Sequence, residues 1–413
     1  MIRAPGLQES IKTEIVSSVR GMFLLAKLHL DSLMDKTSVK AIRSALEELP
    51  KGSGAYNEAF EMAMKRVETQ APGHRALAKQ ALAWIVCAKR PLNTLELQHA
   101  LAVEACHTRF EQEALPDIEI MVSVCAGLIV MDKKSQFVRP VHYTTQQYFA
   151  ETRTAWFPEA EVDITNKSCA SYILFDDFES GPCRRPSDLQ LRLSRYSLFK
   201  YAAQKWGDHA REAGALPDHV TRLLAQSSNL NAAYQVMETE DGGLGRSFNL
   251  RFRPNEEEYV YISPLHVAAF FGLCEAAKSL VDVGDGVNST DKYGQTPLLY
   301  AAAKGHEPMV GLLQENGADI NTRSHECQTP LLLAIKNGNL SIVQFLIRSG
   351  ANTALRDNDA PTTLSLAVEH GHTAIVELLL DHYSQSITTT KDQDDNKHPS
   401  RSNKTELLAT LHV

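Results

Sequence analysis

Along the first third of the chain, apolar side chains return every third or fourth residue. Ile11, Ile15, Val19, Met22 or Phe23, and Leu25 or Ala26 follow that spacing across residues 10–33. Tyr56, Phe60, Met64 and Val67 repeat it after the KGSG interruption at 51–54. Both patterns predict amphipathic helices. ALAKQALAWIVCAK, 76–89, predicts a third apolar helix, which Pro91 ends. Asn93, three residues before Glu96, has the spacing of a capping box that opens a short helix. DIEIMVSVCAG, 117–127, predicts another, stopped by Gly127. Here the period changes to two. LIVM, a polar DKKS turn and QFVRPV predict a two-stranded hairpin, and VHYTTQQYF then opens a helix at His142.

Helix–helix–helix–hairpin–helix is the layout of a winged-helix domain, expected over 76–155 after a helical segment at 1–75. In that fold the third helix enters the DNA major groove. Here it holds Asp117 and Glu119 and no Lys or Arg, the wrong chemistry for phosphate and base edges. A helical connector is expected over 156–237. In it FDDFESG, 175–181, reads as an acidic helix end, and Tyr201, Trp206 and His209 as an inward-packing face. Residues 238–258, charged and Gly-rich, read as a linker.

Beyond the linker the pattern repeats. SPLHVAAFFG starts at Ser263, TPLLYAAAKG at Thr296, TPLLLAIKNG at Thr329 and TTLSLAVEHG at Thr362, each 33 residues after the last. MVGLLQENGADIN, IVQFLIRSGANTA and IVELLLDHYSQSI recur behind them. The segment 259–383 resembles the ankyrin-repeat family in both period and motif. The Ser or Thr hydroxyl caps an inner helix, with Pro at its first position. Gly305, Gly338 and Gly371 end the inner helices, and Gly317 and Gly350 the outer ones. No repeat buries its own face, so stacking makes the core. The family often has His after Thr-Pro-Leu. Only His266 keeps it, with Leu299, Leu332 and Ser365 elsewhere, which predicts a thinner polar link between repeats. The 384–413 tail is polar and expected to be disordered.

The resemblance implies a protein-binding surface at the hairpin tips and the exposed ends of the inner helices. Carried onto this sequence, that surface is Phe270, Phe271, Lys292, Tyr293, Gln295, Lys304, His325, Glu326, Lys336, Asn358, Asp359, Glu369 and His370. Phe270-Phe271 suggests a pair of exposed aromatic anchors.

The 413 residues carry a formal charge of −8. That balance argues against a general nucleic-acid or anionic-membrane binder. The apolar run MFLLAKLHL, 22–30, is too short to span a bilayer, and no secretory layout precedes it. Seven dispersed cysteines without a C-x-x-C pair suit a reduced cytoplasmic or nuclear compartment. No zinc spacing, G-x-S-x-G elbow or H-E-x-x-H is present, so neither metal nor cofactor is expected.

GMFLLAKLHLDSL, AKRPLNTLELQHALAVE, SVCAGLIV, VHYTTQQYF and YAAQKWGDHAR together resemble fungal NACHT proteins of the STAND class, in the region that follows their nucleotide-binding domain. The resemblance implies that His142 is the winged-helix histidine that reaches the phosphate of bound ADP, since imidazole can donate to phosphate. The sequence has no G-x-x-x-x-G-K-[ST] loop, and GGLGRS at 242–247 lacks the Lys and the preceding strand. Without a nucleotide domain, His142 is expected to be a helix cap or a hydrogen-bonded buried residue.

The expectation is therefore a mostly α protein, a helical and winged-helix region followed by an ankyrin solenoid. Its function is non-enzymatic protein–protein interaction, resembling the sensor half of a NACHT receptor and docking a nucleotide-binding module in cis or trans. The alternatives are a partial STAND ATPase switched through the winged helix, and a winged-helix DNA-binding regulator.

Overall fold

The computed structural model describes residues 6–19, 23–33, 36–49, 55–104, 107–214, 216–238, 262–353 and 362–394. The protein is mostly α. It divides into two compact units, Met1–Tyr259 and Val260–Val413.

The first unit opens with five helices, α1 (Leu7–Val19), α2 (Phe23–Leu33), α3 (Val39–Glu47), α4 (Ala55–Glu68) and α5 (Pro72–Cys87). The single pattern read over 10–33 is thus two helices. Phe60, Met64 and Val67 of α4 and Ala78, Ala81 and Leu82 of α5 are fully buried, as the 3.6-residue spacing requires. The winged helix continues with β1 (Leu92–Asn93), α6 (Thr94–Ala102), α7 (Ile118–Val124), β2 (Ile129–Met131), β3 (Phe137–Pro140) and α8 (Tyr143–Trp156). Its antiparallel sheet has the order β1-β3-β2, with Leu92 opposite Val138 and Val130 opposite Arg139. The two-residue β1 is too short to show a period and lies outside the hairpin read from sequence. The capping box is present: Glu96 N donates to Asn93 Oδ1 and Asn93 N to Glu96 Oε2, both at 2.9 Å.

After α8 one helical run crosses α9 (Ala160–Asp163), a π-helical stretch Ile164–Ala170, and α10 (Ser171–Ile173). The wide turn lets Ser171 Oγ donate to Asn166 O at 2.6 Å. Asp176–Phe178 forms a short 3₁₀ turn with Phe175 and Phe178 buried. Then come α11 (Pro186–Arg195), α12 (Phe199–Ala213), α13 (Asp218–Ala225) and α14 (Ser227–Glu238). Tyr201, Trp206 and His209 on α12 have no exposed surface.

The second unit stacks four helix pairs. The inner helices are α15 (Pro264–Phe271), α17 (Pro297–Lys304), α19 (Pro330–Lys336) and α21 (Thr363–Glu369). The outer ones are α16 (Cys274–Asp282), α18 (Glu307–Glu315), α20 (Leu340–Arg348) and α22 (Thr373–Asp394). Because α22 runs to Asp394, residues 384–394 are helical rather than a disordered tail; 395–413 lie outside the described residues. Ser263, Thr329 and Thr362 cap their helices through the side chain, but Thr296 makes no such bond.

The polar link between repeats is not thin. His266 Nε2 donates to Gln295 O at 2.9 Å, and a second ladder replaces the missing histidines. His306 reaches Phe270 O at 3.0 Å, Asn339 reaches Ala302 O at 3.3 Å, and His372 reaches Lys336 O at 3.3 Å. Each of these side chains lies over the glycine of the preceding repeat. A Cβ on Gly272 would stand 2.7 Å from the His306 ring, and one on Gly338 2.7 Å from His372. Those glycines therefore answer two demands at once, a left-handed backbone and a close approach.

Candidate functional site

The hairpins carry the most regular exposed geometry. Asp291 Oδ1 accepts from Tyr293 N at 2.9 Å and Gln295 N at 2.8 Å, while Oδ2 accepts from Tyr300 OH at 2.7 Å. A buried carboxylate thus shapes the first tip. In the next repeat Ser324 Oγ does the same for Gln328 N at 3.1 Å. Neighbouring tips are joined, since His325 N donates to Tyr293 O at 2.9 Å. Lower on the hairpins Asn288 spans to Gly317 O and Asp319 N, and Asn321 accepts from Asn352 N.

On this frame Lys292, His325, Glu326, Glu369 and His370 are exposed, and Tyr293, Lys304 and Lys336 half-buried. Lys292 Nζ stands 4.8 Å from the Tyr293 ring centre and Lys304 Nζ 4.4 Å from that of Phe270. Lys336 Nζ donates to Gln328 Oε1 at 3.0 Å, which sets it beside the hairpin.

Three expected members do not present a surface. Phe270 and Phe271 are only 8% and 1% exposed, so they are core rather than paired exposed anchors. They pack edge to face at 4.8 Å, with Phe270 also against Tyr300 and beneath Lys304. Gln295 is buried because its backbone closes the Asp291 turn and accepts from His266. Asn358 and Asp359 lie outside the described residues.

Sequence reasoning passed over Arg323, exposed beside His325, and with it a charge polarity. The hairpin side of the second and third repeats holds Lys292, Lys304, Arg323 and Lys336 with Glu326. Three aspartates lie there too, Asp285, Asp291 and Asp319, each accepting a backbone N–H, so among the described residues this side is charge-balanced where the outer helices are acidic. The outer helices expose Glu275, Asp282, Glu307, Glu315, Glu377 and Asp381 with Lys278 and Arg348. Summing charge per repeat face, rather than over the whole chain, would have found this.

His142 is the N-cap of α8. Its Nδ1 accepts from Thr144 N at 3.3 Å and lies 3.1 Å from Thr144 Oγ1, and its ring packs against Tyr143 at 4.3 Å. Accepting at Nδ1 puts the ring proton of neutral His142 on Nε2. The structure thus gives it a local capping role. On α7, Asp117 caps its own helix through Glu119 N and Ile120 N, and Ile120 is exposed.

A buried charged cluster ties the winged helix to α9 and α12. Glu161 Oε2 accepts from His209 Nδ1, and Glu161 Oε1 faces Lys89 Nζ and Arg153 Nη1 at 3.2 Å each. Tyr201 OH contacts His209 Nε2 at 2.8 Å and accepts from Lys89 N at 2.9 Å. The cluster's hydrogen bonds and cations overcome desolvation and hold Glu161 down at about 2. Burial lowers His209, so it is a neutral ring that donates to the carboxylate and accepts from the tyrosine.

Among the described residues no group of His, Cys, Asp and Glu is placed to hold a metal, and no helix is long and apolar enough to cross a membrane.

Comparison with known proteins supports both halves. Residues 64–158 match the family described as the GPI inositol-deacylase winged helix domain. Residues 299–347 match ankyrin repeats. Among curated proteins, the chain is similar to the potassium channel GORK of Arabidopsis thaliana, 40% identical over 72 residues, 17% of this chain and 9% of the channel. It is also similar to the potassium channel KOR1 of Oryza sativa subsp. japonica, 46% identical over 61 residues, 15% of this chain and 7% of the channel. The chain thus spans less than a tenth of these relatives' length. The class defined is a winged-helix region of GPI inositol-deacylase type followed by ankyrin repeats, and the repeats make protein–protein interaction the function this unit supports.

Proposed function

We propose that the chain is a non-enzymatic interaction protein whose hairpin side holds a partner through an acidic segment. The observation that carries this reading is the charge polarity of the stack, with Lys292 against Tyr293 on the less acidic side of a chain of net charge −8. A side much less acidic than the rest of the chain is where an acidic partner meets the least repulsion. The aromatic face of Tyr293 beside Lys292 offers a rigid contact at the centre. The finer placement follows the resemblance to NACHT receptors. The repeats act as sensor, the winged helix docks a nucleotide-binding module in cis or trans, and the compartment is cytoplasmic or nuclear.

A photo-crosslinking residue at position 293, compared with one at Gln314 on the outer side, tests this. The reading predicts a discrete cross-linked protein from 293 and none from 314. Equal yields from both positions would contradict it. The isolated chain is also expected to turn over neither ATP nor GTP above a blank.

A second reading rests on His142, whose Nε2 is left to carry a proton. In it, an added nucleotide-binding module would bring a phosphate to that nitrogen, making the winged helix part of a nucleotide switch. ADP affinity of such an assembly should fall on His142→Ala. Unchanged affinity would remove this role.

A further inference from the structure

The first unit contains a cleft of about 640 Å³ that the interaction reading does not use. It lies between α6 with the following loop, which supply Leu95, His99, Arg109 and Phe110, and the end of α11, which supplies Arg195 and Tyr196. Volume and position are those of small-molecule sites, which favour joints between substructures.

We propose that this cleft binds a small, flat organic anion, by class an aromatic carboxylate. The central group is His99, only 5% exposed. Its Nδ1 lies 2.7 Å from Tyr172 OH. The Leu198 backbone amide donates to that phenol oxygen, and burial keeps the phenol protonated. The phenol hydrogen has no acceptor but Nδ1 among the described residues, so Tyr172 donates and His99 carries its own proton on Nε2. Burial also lowers His99 to about 4, which holds the ring neutral at physiological pH. Nε2–H has no partner among the described residues, and His99 lines the cleft. The wall therefore presents one fixed, unused donor.

Beside it, Phe110 stacks on the His99 ring at 4.2 Å and 7° and is half-buried, so ring surface lines the cleft. The charges around it are unequally engaged. Arg109 meets Asp176 at 3.4 Å, and Asp177 is hydrogen-bonded by the Tyr196 hydroxyl. Arg195, its guanidinium 5.5 Å from the Tyr196 ring centre, pairs with no carboxylate among the described residues. The lining is charge-balanced overall, Arg109 and Arg195 against Asp176 and Asp177; with Asp177 met by the Tyr196 hydroxyl, it leaves a ligand the Arg195 guanidinium, one N–H donor and the Phe110 ring face. A flat apolar body bearing a carboxylate satisfies all three, because a guanidinium and an N–H both complement carboxylate oxygens.

The test is titration of the full chain with 2-naphthoate, followed by saturation-transfer NMR and calorimetry, beside the neutral analogue 2-naphthalenemethanol. Arg195→Gln removes the free cation at an exposed position. Leu95→Trp, at a residue 54% exposed, fills the cleft from its rim without disturbing the core. Circular dichroism checks that each variant is folded. The proposal expects saturable 1:1 binding of 2-naphthoate, at least tenfold weaker in Arg195→Gln, lost in Leu95→Trp, and at least tenfold weaker for the alcohol. Absence of saturable binding, equal binding of the alcohol, or unchanged affinity in either variant would overturn it.

Discussion

The two units are held together by opposite means. In the repeat stack the polar contacts that matter join a residue to the repeat before it, at the same offset each time, as His306 joins Phe270 O and His372 joins Lys336 O. In the first unit they cross the sequence, as Glu161 gathers Lys89, Arg153 and His209 from three different segments. A stack built from neighbours distributes its strength. A cluster built from distant groups concentrates it, because removing one residue disturbs several segments at once. The three tryptophans, Trp84, Trp156 and Trp206, all lie in the first unit, so their fluorescence reports that unit alone.

The largest separation between the units is expected from Glu161→Ala. It leaves Lys89 and Arg153 to Glu212 alone, at 2.8 and 3.6 Å, and the buried His209 Nδ1–H without its acceptor, and should cost the first unit about 3 kcal/mol. Urea unfolding followed by tryptophan fluorescence should shift strongly, while the transition of the repeats stays in place. A common shift in both would mean that the cluster is not confined to one unit's stability.

Acid comes next. Burial lowers His29 and His99 to about 4, and also lowers His209, all in the first unit; in the repeats it lowers His266. A depressed histidine means that the unfolded chain takes up a proton near pH 6.5 that the folded chain refuses. Stability is therefore full above that value and falls as the pH drops below it. The limiting slope is about 1.4 kcal/mol per pH unit for each of His29 and His99, and His209 and His266 add to the loss in the same direction. Glu161, held at about 2, adds a loss only below the ordinary carboxylate range. Stability measured from pH 7 to 5 should fall faster by tryptophan fluorescence than by a probe of the repeats. Equal slopes would contradict this assignment of neutral histidines.

Glycine separates strain from packing. Gly371, with φ +71 and nothing within 4 Å of an added Cβ, should lose about 1 kcal/mol as Ala. Gly272→Ala meets similar backbone strain and the His306 ring besides, and should lose about 3 kcal/mol. Comparable losses at the two sites would show that the imidazole moves aside without penalty.

The smallest effect is at His142. Replacing the cap by Ala should cost about 1 kcal/mol, and His142→Asn should restore most of it. A loss that Asn does not restore would mean that the ring contact with Tyr143 matters more than the cap.

What was legible in the sequence follows the same division. The repeats show because their contacts recur at a fixed interval, and the capping box at Asn93 and Glu96 shows because it is local. The two-residue β1 is too short to carry a period. The Glu161 cluster draws on residues 48 and 72 positions apart, and nothing in the local pattern marks such pairs. Phe270 and Phe271 occupy the inner-helix end that the repeat family exposes, which is why the pattern marks them as surface. Here the aromatic pair and Tyr300 pack on one another instead. The tip residues Lys292, Tyr293, His325 and Glu326 were found by position, but the polarity between hairpins and outer helices emerges only once the faces are separated.

The most direct test of the account is the affinity for the partner recovered by cross-linking at position 293, measured before and after charge reversal on each face at low and moderate salt. The account predicts that Lys292→Glu with Lys336→Glu weakens binding at least tenfold and flattens its salt dependence, while Lys278→Glu on the outer side leaves it unchanged. Equal affinity in all three proteins would contradict the claim that the hairpin side is the docking face.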